Sequence, residues 1–305
     1  MPDKSAARTA AIRALAADAV TCEVVAGLRA AGVEPVLLKG PTTADWLYPG
    51  ELRSYNDTDL LVSPGDQESA ALVLGELGFG YVETGSSERE RDDHSRTFAR
   101  AGAEVDLHFT LSGVHIQVDR AWQLLTADLS STTVAGTPVA TLGAPARTLH
   151  LVLHAADSGG QVVRTRTDLE RAIAATDLST WQRVVGLARE LAAMPAFVAG
   201  LRQVPAGVHL LSQLGIEEAA TPYTLLRATN TTPGALGMAR LLELSPARWP
   251  VEIWRQLVPS PAFMRTWSRL ASRGPVGLTI AYLYRPVWLL SRIWPAYAAH
   301  RRVKR

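Results

Sequence analysis

Apolar positions along the chain change their spacing several times, and each change predicts an element. Ile12, Leu15, Ala19, Val20, Val24 and Leu28 recur at near-helical intervals, so a first helix is expected over about 6–30, closed by Ala31-Gly32. Val36-Leu37-Leu38 is a short continuous apolar run of the kind a buried strand uses, and it stops at Lys39-Gly40-Pro41. Pro41 suits the first turn of a helix, where its missing N–H removes no intrahelical bond, and that helix should run over 42–47 and end before Pro49-Gly50. A second strand is expected over 57–62. Ser63-Pro64-Gly65-Asp66 then starts a helix whose apolar face is Ala70, Leu72, Val73, Leu74 and Leu77, and Tyr81-Val82 begins another short strand.

The stretch 83–95 is the most polar in the chain, which predicts a surface loop, with a lid over substrate as the other reading. A hairpin follows, turning around Ala101-Gly102-Ala103. On its second arm Glu104, Asp106 and His108 share one face, while Val105, Leu107 and Phe109 share the face expected to enter the core. A helix over 116–129 and a small hairpin over 132–142, turning at Gly136, come next. From Pro145 the pattern is helical for most of the remaining chain. The expected class is therefore α+β, with a first domain over 1–144 and a mostly helical domain over 145–305.

Composition adds the setting. An apolar fraction of 47% with 20% charged residues is that of a globular protein. One cysteine, Cys22, cannot form an intramolecular disulfide, which favours a reducing, cytoplasmic location. The N-terminal residues intersperse charges with alanines and lack the order of a secretory signal, and no stretch long enough to span a bilayer is free of charge. The net charge of +2 hides an imbalance: from Arg248 onward there are eleven Lys or Arg against one acid, Glu252, so the tail is +10 and the preceding chain −8. Five of the eight tryptophans also lie in that tail. Basic residues interleaved with aromatics suit an anionic membrane surface and a membrane-peripheral location, and equally nucleic acid, an acidic peptide or packing on the body of the protein.

Asp57 and Asp59 occupy positions i and i+2 of a predicted strand, so both side chains leave the same face. Two adjacent carboxylates repel, and keeping both ionised away from water requires a cation. A divalent ion such as Mg2+, held by one or two carboxylates and by substrate phosphates, meets that need. The order Leu37-Leu38-Lys39-Gly40, Tyr48-Pro49, then Arg53 through Val62, resembles the nucleotidyltransferase superfamily. Within it the closest likeness is to the bacterial branch of uncharacterised nucleotidyltransferases. More familiar members of the superfamily carry Gly-Ser where this chain has Lys-Gly.

The resemblance implies a mixed β-sheet with flanking helices, followed by a helical second part, and nucleotidyl transfer with Mg2+, or Mn2+ in its place. It implies that Asp57, Asp59 and Asp106, the last within Val105-Asp106-Leu107-His108, hold the metal, and that Lys39 and the Gly40 backbone meet the triphosphate. Arg53 would neutralise phosphate charge or orient Asp57. His108 would contact acceptor or nucleotide, or hydrogen-bond Asp106. In the helix over 145–157, His150, His154 and Asp157 fall on one face. The spacing of the two histidines permits a metal but lacks the glutamate and third ligand of a zinc helix. His154 matches a family histidine and is assigned to the cleft wall, whereas His150 has no such match. Asp168 matches a family acid, although an ion pair with Arg166 or helix capping accounts for it as well. Val258-Pro259-Ser260-Pro261 resembles a Pro-Ser-Pro element near the end of family members.

The acceptor would be a hydroxyl or phosphate on a small molecule, peptide or glycan. Two other functions fit the same residues: transfer of another phosphate-linked group, such as a sugar, in natural-product or polysaccharide biosynthesis, and a catalytically silent nucleotide-binding or membrane-docking protein.

Overall fold

A computed structural model describes residues 4–82, 94–158, 163–229 and 232–304. Seven strands form one mixed sheet: β1 (Val36–Leu37), β2 (Asp57–Leu61), β3 (Gly80–Tyr81), β4 (Ser95–Arg100), β5 (Ala103–His108), β6 (Leu129–Val134) and β7 (Thr137–Leu142), in the order β3-β4-β5-β2-β1-β7-β6. The pairs β2/β5 and β1/β7 are parallel and the others antiparallel. Both hairpins turn on Ala-Gly. Ala101 and Gly102 have φ of 46° and 86°, and Ala135 and Gly136 have 44° and 86°, so two consecutive residues adopt the positive φ that matches the twist of the flanking strands. Residues 83–93 of the polar stretch lie outside the described residues.

Four helices belong to the sheet half: α1 (Lys4–Ala30), α2 (Pro41–Leu47), α3 (Gln67–Glu76) and α4 (Val118–Leu125). The last is shorter than the pattern suggested, because Leu129 to Val134, rich in Ser and Thr, pairs as β6. Ten more follow: α5 (Ala144–Asp157), α6 (Val163–Ala175), α7 (Leu178–Glu190), α8 (Met194–Leu201), α9 (Pro205–Gln213), α10 (Pro222–Thr229), α11 (Ala235–Glu243), α12 (Trp249–Leu257), α13 (Pro261–Trp267) and α14 (Pro275–Val303). Ser260 of the Pro-Ser-Pro element caps α13, its Oγ accepting from Phe263 N at 3.2 Å.

Period-two alternation sorts the sheet into two faces. Leu37, Leu60, Val62, Val105 and Leu107 meet Val24, Val25 and Leu28 of α1 and Leu74 of α3. The opposite face carries Val36, Leu38, Leu61 and Leu142, which join Leu149, Val152 and Leu153 of α5 and, beyond them, Trp181 and Phe197. Helix α5 is therefore central. Gly200 of α8 passes so close that a Cβ there would lie 2.1 Å from the Val152 carbonyl oxygen. Strands end at Leu142 and helices take over at Ala144, yet the apolar cluster runs across that point. A division into two domains at residue 144 stays a proposal in which the parts share a core.

Candidate active site

The face that α5 covers is also the face that carries the carboxylates. In the parallel β2/β5 pair Asp59 stands opposite Asp106 and Asp57 opposite Glu104, so the same alternation that buries Leu60 and Leu107 on one side brings Asp59 and Asp106 together on the other. His108 follows two residues on, and its Nε2 lies 3.2 Å from Asp59 Oδ1. One ligand atom from each of Asp59, Asp106 and His108 falls within 4.8 Å of the others, close enough to share an ion. Asp57 is not in that group. It sits at the start of β2, where Lys39 Nζ reaches its Oδ2 and Asp59 Oδ1, each at 3.2 Å.

Lys39 is aimed by its loop. Gly40 has φ 76° and ψ −115°, a conformation that side chains disfavour, and a Cβ there would meet the Tyr55 ring at 3.4 Å. This turn ends β1, starts α2 and leaves the Lys39 ammonium beside Asp57 and Asp59. Burial opposes charge on Lys39, but Asp59 and then Asp57 outweigh it and hold the ammonium above its ordinary value. Burial likewise works against the Asp59 carboxylate, and Lys39 and then His108 hold it well below the usual carboxylate range. Asp59 is thus the buried member of the set, while Asp57 and Asp106 stay partly exposed.

The residues present fit a divalent ion. Asp59 is 2% exposed, and its Oδ2 is buried with no hydrogen-bond partner among the described residues. Thr97 Oγ1 donates to Asp106 Oδ1 at 2.6 Å and leaves Oδ2 for other work. Three formal negative charges against one ammonium leave a deficit of two, the charge of Mg2+ or Mn2+. Carboxylate oxygens suit both ions, and the imidazole is better suited to Mn2+.

The polar face of α5 closes the site. His150 is buried, its Nδ1 unpartnered among the described residues, and burial, then His154 and His108, hold its imidazole far below its ordinary value. Burial and then Lys39 push His154 down to about 4. His94 lies with its ring centroid 5.7 Å from that of His108. Asp157, at the end of the same face, pairs with Arg227 of α10.

Arg53 and Asp168 are placed differently from expectation. The partner of Asp168 is Arg53, not Arg166: Arg53 Nε donates to both carboxylate oxygens at 3.1 and 3.2 Å, and Nη2 donates to Oδ2 at 2.6 Å. Tyr48 OH adds a bond to Oδ1 at 2.6 Å. Both side chains are nearly inaccessible, at 5% and 3% exposed, and the pair ties the loop before β2 to α6.

Residues 4–206 match the family described as uncharacterised nucleotidyltransferase. The chain belongs to that family. Among solved structures, the solution structure of the antibiotic-resistance factor ANT(2'')-Ia is 12% identical, covering 58% of this chain and 94% of its own, with a TM-score of 0.44. The crystal structure of an antigenic nucleotidyltransferase-like protein from Paracoccidioides brasiliensis is 14% identical, covering 58% and 92%, with a TM-score of 0.35. No curated protein matches the chain. In this family member the sequence patterns point to Asp57, Asp59, Asp106, His108, Lys39 and His154, which the fold gathers on one side of the sheet. Sequence reasoning passes over two contributors. His150 carried a signal in its spacing from His154, and Tyr48 carried none beyond the Tyr-Pro that ends α2.

Proposed function

We propose that the protein moves a nucleoside monophosphate from a nucleoside triphosphate to a hydroxyl or phosphate of an acceptor and releases pyrophosphate. The observation that supports this most is the pairing of Asp59 with Asp106 at one level of two parallel strands, with Asp59 Oδ2 buried and without a partner among the described residues. Asp59 and Asp106, with His108 and Asp57 beside them, would hold Mg2+ or Mn2+. When bound, that ion neutralises phosphate charge and fixes the geometry of an in-line displacement. Lys39 and the Gly40 backbone would receive the triphosphate, the ammonium turning from Asp57 and Asp59 towards phosphate oxygen.

Asp106 Oδ2 would accept the proton of an acceptor hydroxyl while Thr97 holds Oδ1 still. The acceptor oxygen then forms its bond to the α-phosphorus as the bond to the pyrophosphate oxygen breaks. His150 and His154, held neutral by burial, would keep water out without adding positive charge. A triphosphate donor and the free thiol of Cys22 fit a cytoplasmic setting.

Calorimetric titration of the whole chain with each nucleoside triphosphate, with and without Mg2+, tests this. Saturable binding that needs the ion and disappears in Asp59→Asn and Asp106→Asn is the expected result. Binding unchanged in both folded variants would reject the proposal.

A further inference from the structure

Helix α14 turns Arg285 inward and an apolar stripe outward. Val276, Ile280, Leu283, Val287, Leu290 and Trp294 follow one another at alternating intervals of four and three residues, so they form one stripe. That stripe faces solvent: Leu283, Leu290 and Trp294 are 73%, 68% and 76% exposed. Arg285, in the middle of the helix, is buried instead, its Nε donating to Gln256 O at 2.6 Å and its guanidinium lying 4.7 Å from the Phe263 ring centroid. A helix on a water-facing surface has the reverse distribution.

Two further features say what covers the stripe. Its ends are cationic. Arg269 and Arg273 are exposed before it, Arg301, Arg302 and Lys304 are exposed after it, and Arg301 continues the same spacing beyond Tyr297. From Pro261 to the last residue the sequence has no acid, and the nearest one before it, Glu252, is buried. A second copy of the chain laid along the stripe would face cations with cations in either direction. Beside the stripe, Leu290 and Ile293 also line an apolar groove of about 390 Å3 between α11, α12 and α14, with Met238, Leu241, Ile253 and Leu257. Among the described residues no helix is long and apolar enough to cross a membrane.

We propose that the outer face of α14 docks on an anionic lipid bilayer. The stripe enters the boundary between headgroups and acyl chains, Trp294 and Tyr297 lie at headgroup level, and the basic ends meet lipid phosphates. The helix lies beyond residues 4–206, so this proposal is independent of the chemistry on the sheet.

Co-sedimentation of the full chain with vesicles of phosphatidylcholine alone, or of phosphatidylcholine mixed with phosphatidylglycerol, reads the interaction. Binding to the mixed vesicles should exceed binding to neutral ones by at least tenfold and should weaken as salt rises. Each basic residue near the surface strengthens binding about fivefold, so Arg301→Ser, Arg302→Ser and Lys304→Ser together should weaken it by roughly a hundredfold. Leu283→Glu with Leu290→Glu should abolish it. Both substitutions lie on the solvent side, and an unchanged far-ultraviolet spectrum verifies that the variant folds. Equal binding to neutral vesicles, or full binding by the double glutamate variant, would overturn the proposal. So would a dimer seen by light scattering without lipid that the same variant converts to monomer.

Discussion

Removing one partner of the Arg53–Asp168 pair should be far more damaging than removing both. The two side chains are 5% and 3% exposed and joined by three hydrogen bonds, one as short as 2.6 Å. Among the described residues, Arg53→Met leaves the Asp168 carboxylate buried with only the Tyr48 hydroxyl, and Asp168→Leu leaves a guanidinium with no counter-charge. Either single change should cost about 3–5 kcal/mol, the usual penalty for an unpaired buried charge. At the low sensitivity of a larger chain this lowers the thermal midpoint by roughly 6–10 °C. The double variant replaces both charges with apolar volume, and Tyr48, partly exposed, can turn its hydroxyl to water, so it should recover to within about 1 kcal/mol of the parent.

Differential scanning fluorimetry on the four proteins gives this cycle directly, and titration with a nucleoside triphosphate on the same samples gives the second axis. Stability should show a coupling of several kcal/mol, while the double variant binds nucleotide normally. The opposite pattern would refute the reasoning: Arg53→Met as stable as the parent but defective in nucleotide binding. Arg53 would then be a phosphate ligand, and its embrace of Asp168 would not describe the working protein.

Three other outcomes follow from the geometry. Lys39→Met takes the resident cation from between Asp57 and Asp59, so calorimetry should find tighter Mn2+ binding in the absence of nucleotide and weaker triphosphate binding in its presence. His154, with a folded pKa of about 4 against an ordinary value near 6.5, leaves the unfolded chain binding more protons between those limits. Stability should therefore rise with pH across that window by up to about 3 kcal/mol, less whatever water at the cleft edge screens, and urea midpoints should show the slope flattening in His154→Phe. Gly200→Ala drives a methyl group into the Val152 carbonyl and should cost about 1–3 kcal/mol or more, read from the same midpoints, because α5 and α8 must separate to admit it.

What could be read from the sequence was whatever has a short period. The alternation of Asp57, Thr58, Asp59 and Leu60, and of Glu104 through Phe109, assigns faces without any knowledge of neighbours, and the register between β2 and β5 then brings Asp59 opposite Asp106. Partners chosen across the fold have no such signature. Asp168 has Arg166 two residues away but pairs with Arg53, 115 residues away, because α6 packs against the loop before β2. Helix α5 shows the same limit. His150, His154 and Asp157 form a polar face, of which only His154 is assigned to a cleft wall, by family resemblance, but the sheet's carboxylate side lies across from that face, so His150 is enclosed too. In α14 the stripe was present in the spacing, but which side met solvent depended on Arg285 finding the Gln256 carbonyl and the Phe263 ring.

The identity of the residues that enclose the carboxylates follows from what each alternative would do. Leucines in place of His150 and His154 would offer no polar atom beside Asp59, whose carboxylate burial already works against. Arginines would cancel the negative charge that the proposed divalent ion needs. Imidazoles kept neutral by burial do neither, since they exclude bulk water yet can still donate or accept a hydrogen bond. With Lys39 as the one ammonium among the described residues beside Asp57, Asp59 and Asp106, the site keeps a formal deficit of two where burial lowers the dielectric and that deficit acts most strongly. The helices after residue 144 thus set the electrostatics of carboxylates that the sheet alone positions, and the continuous core between sheet and α5 holds the two contributions in register.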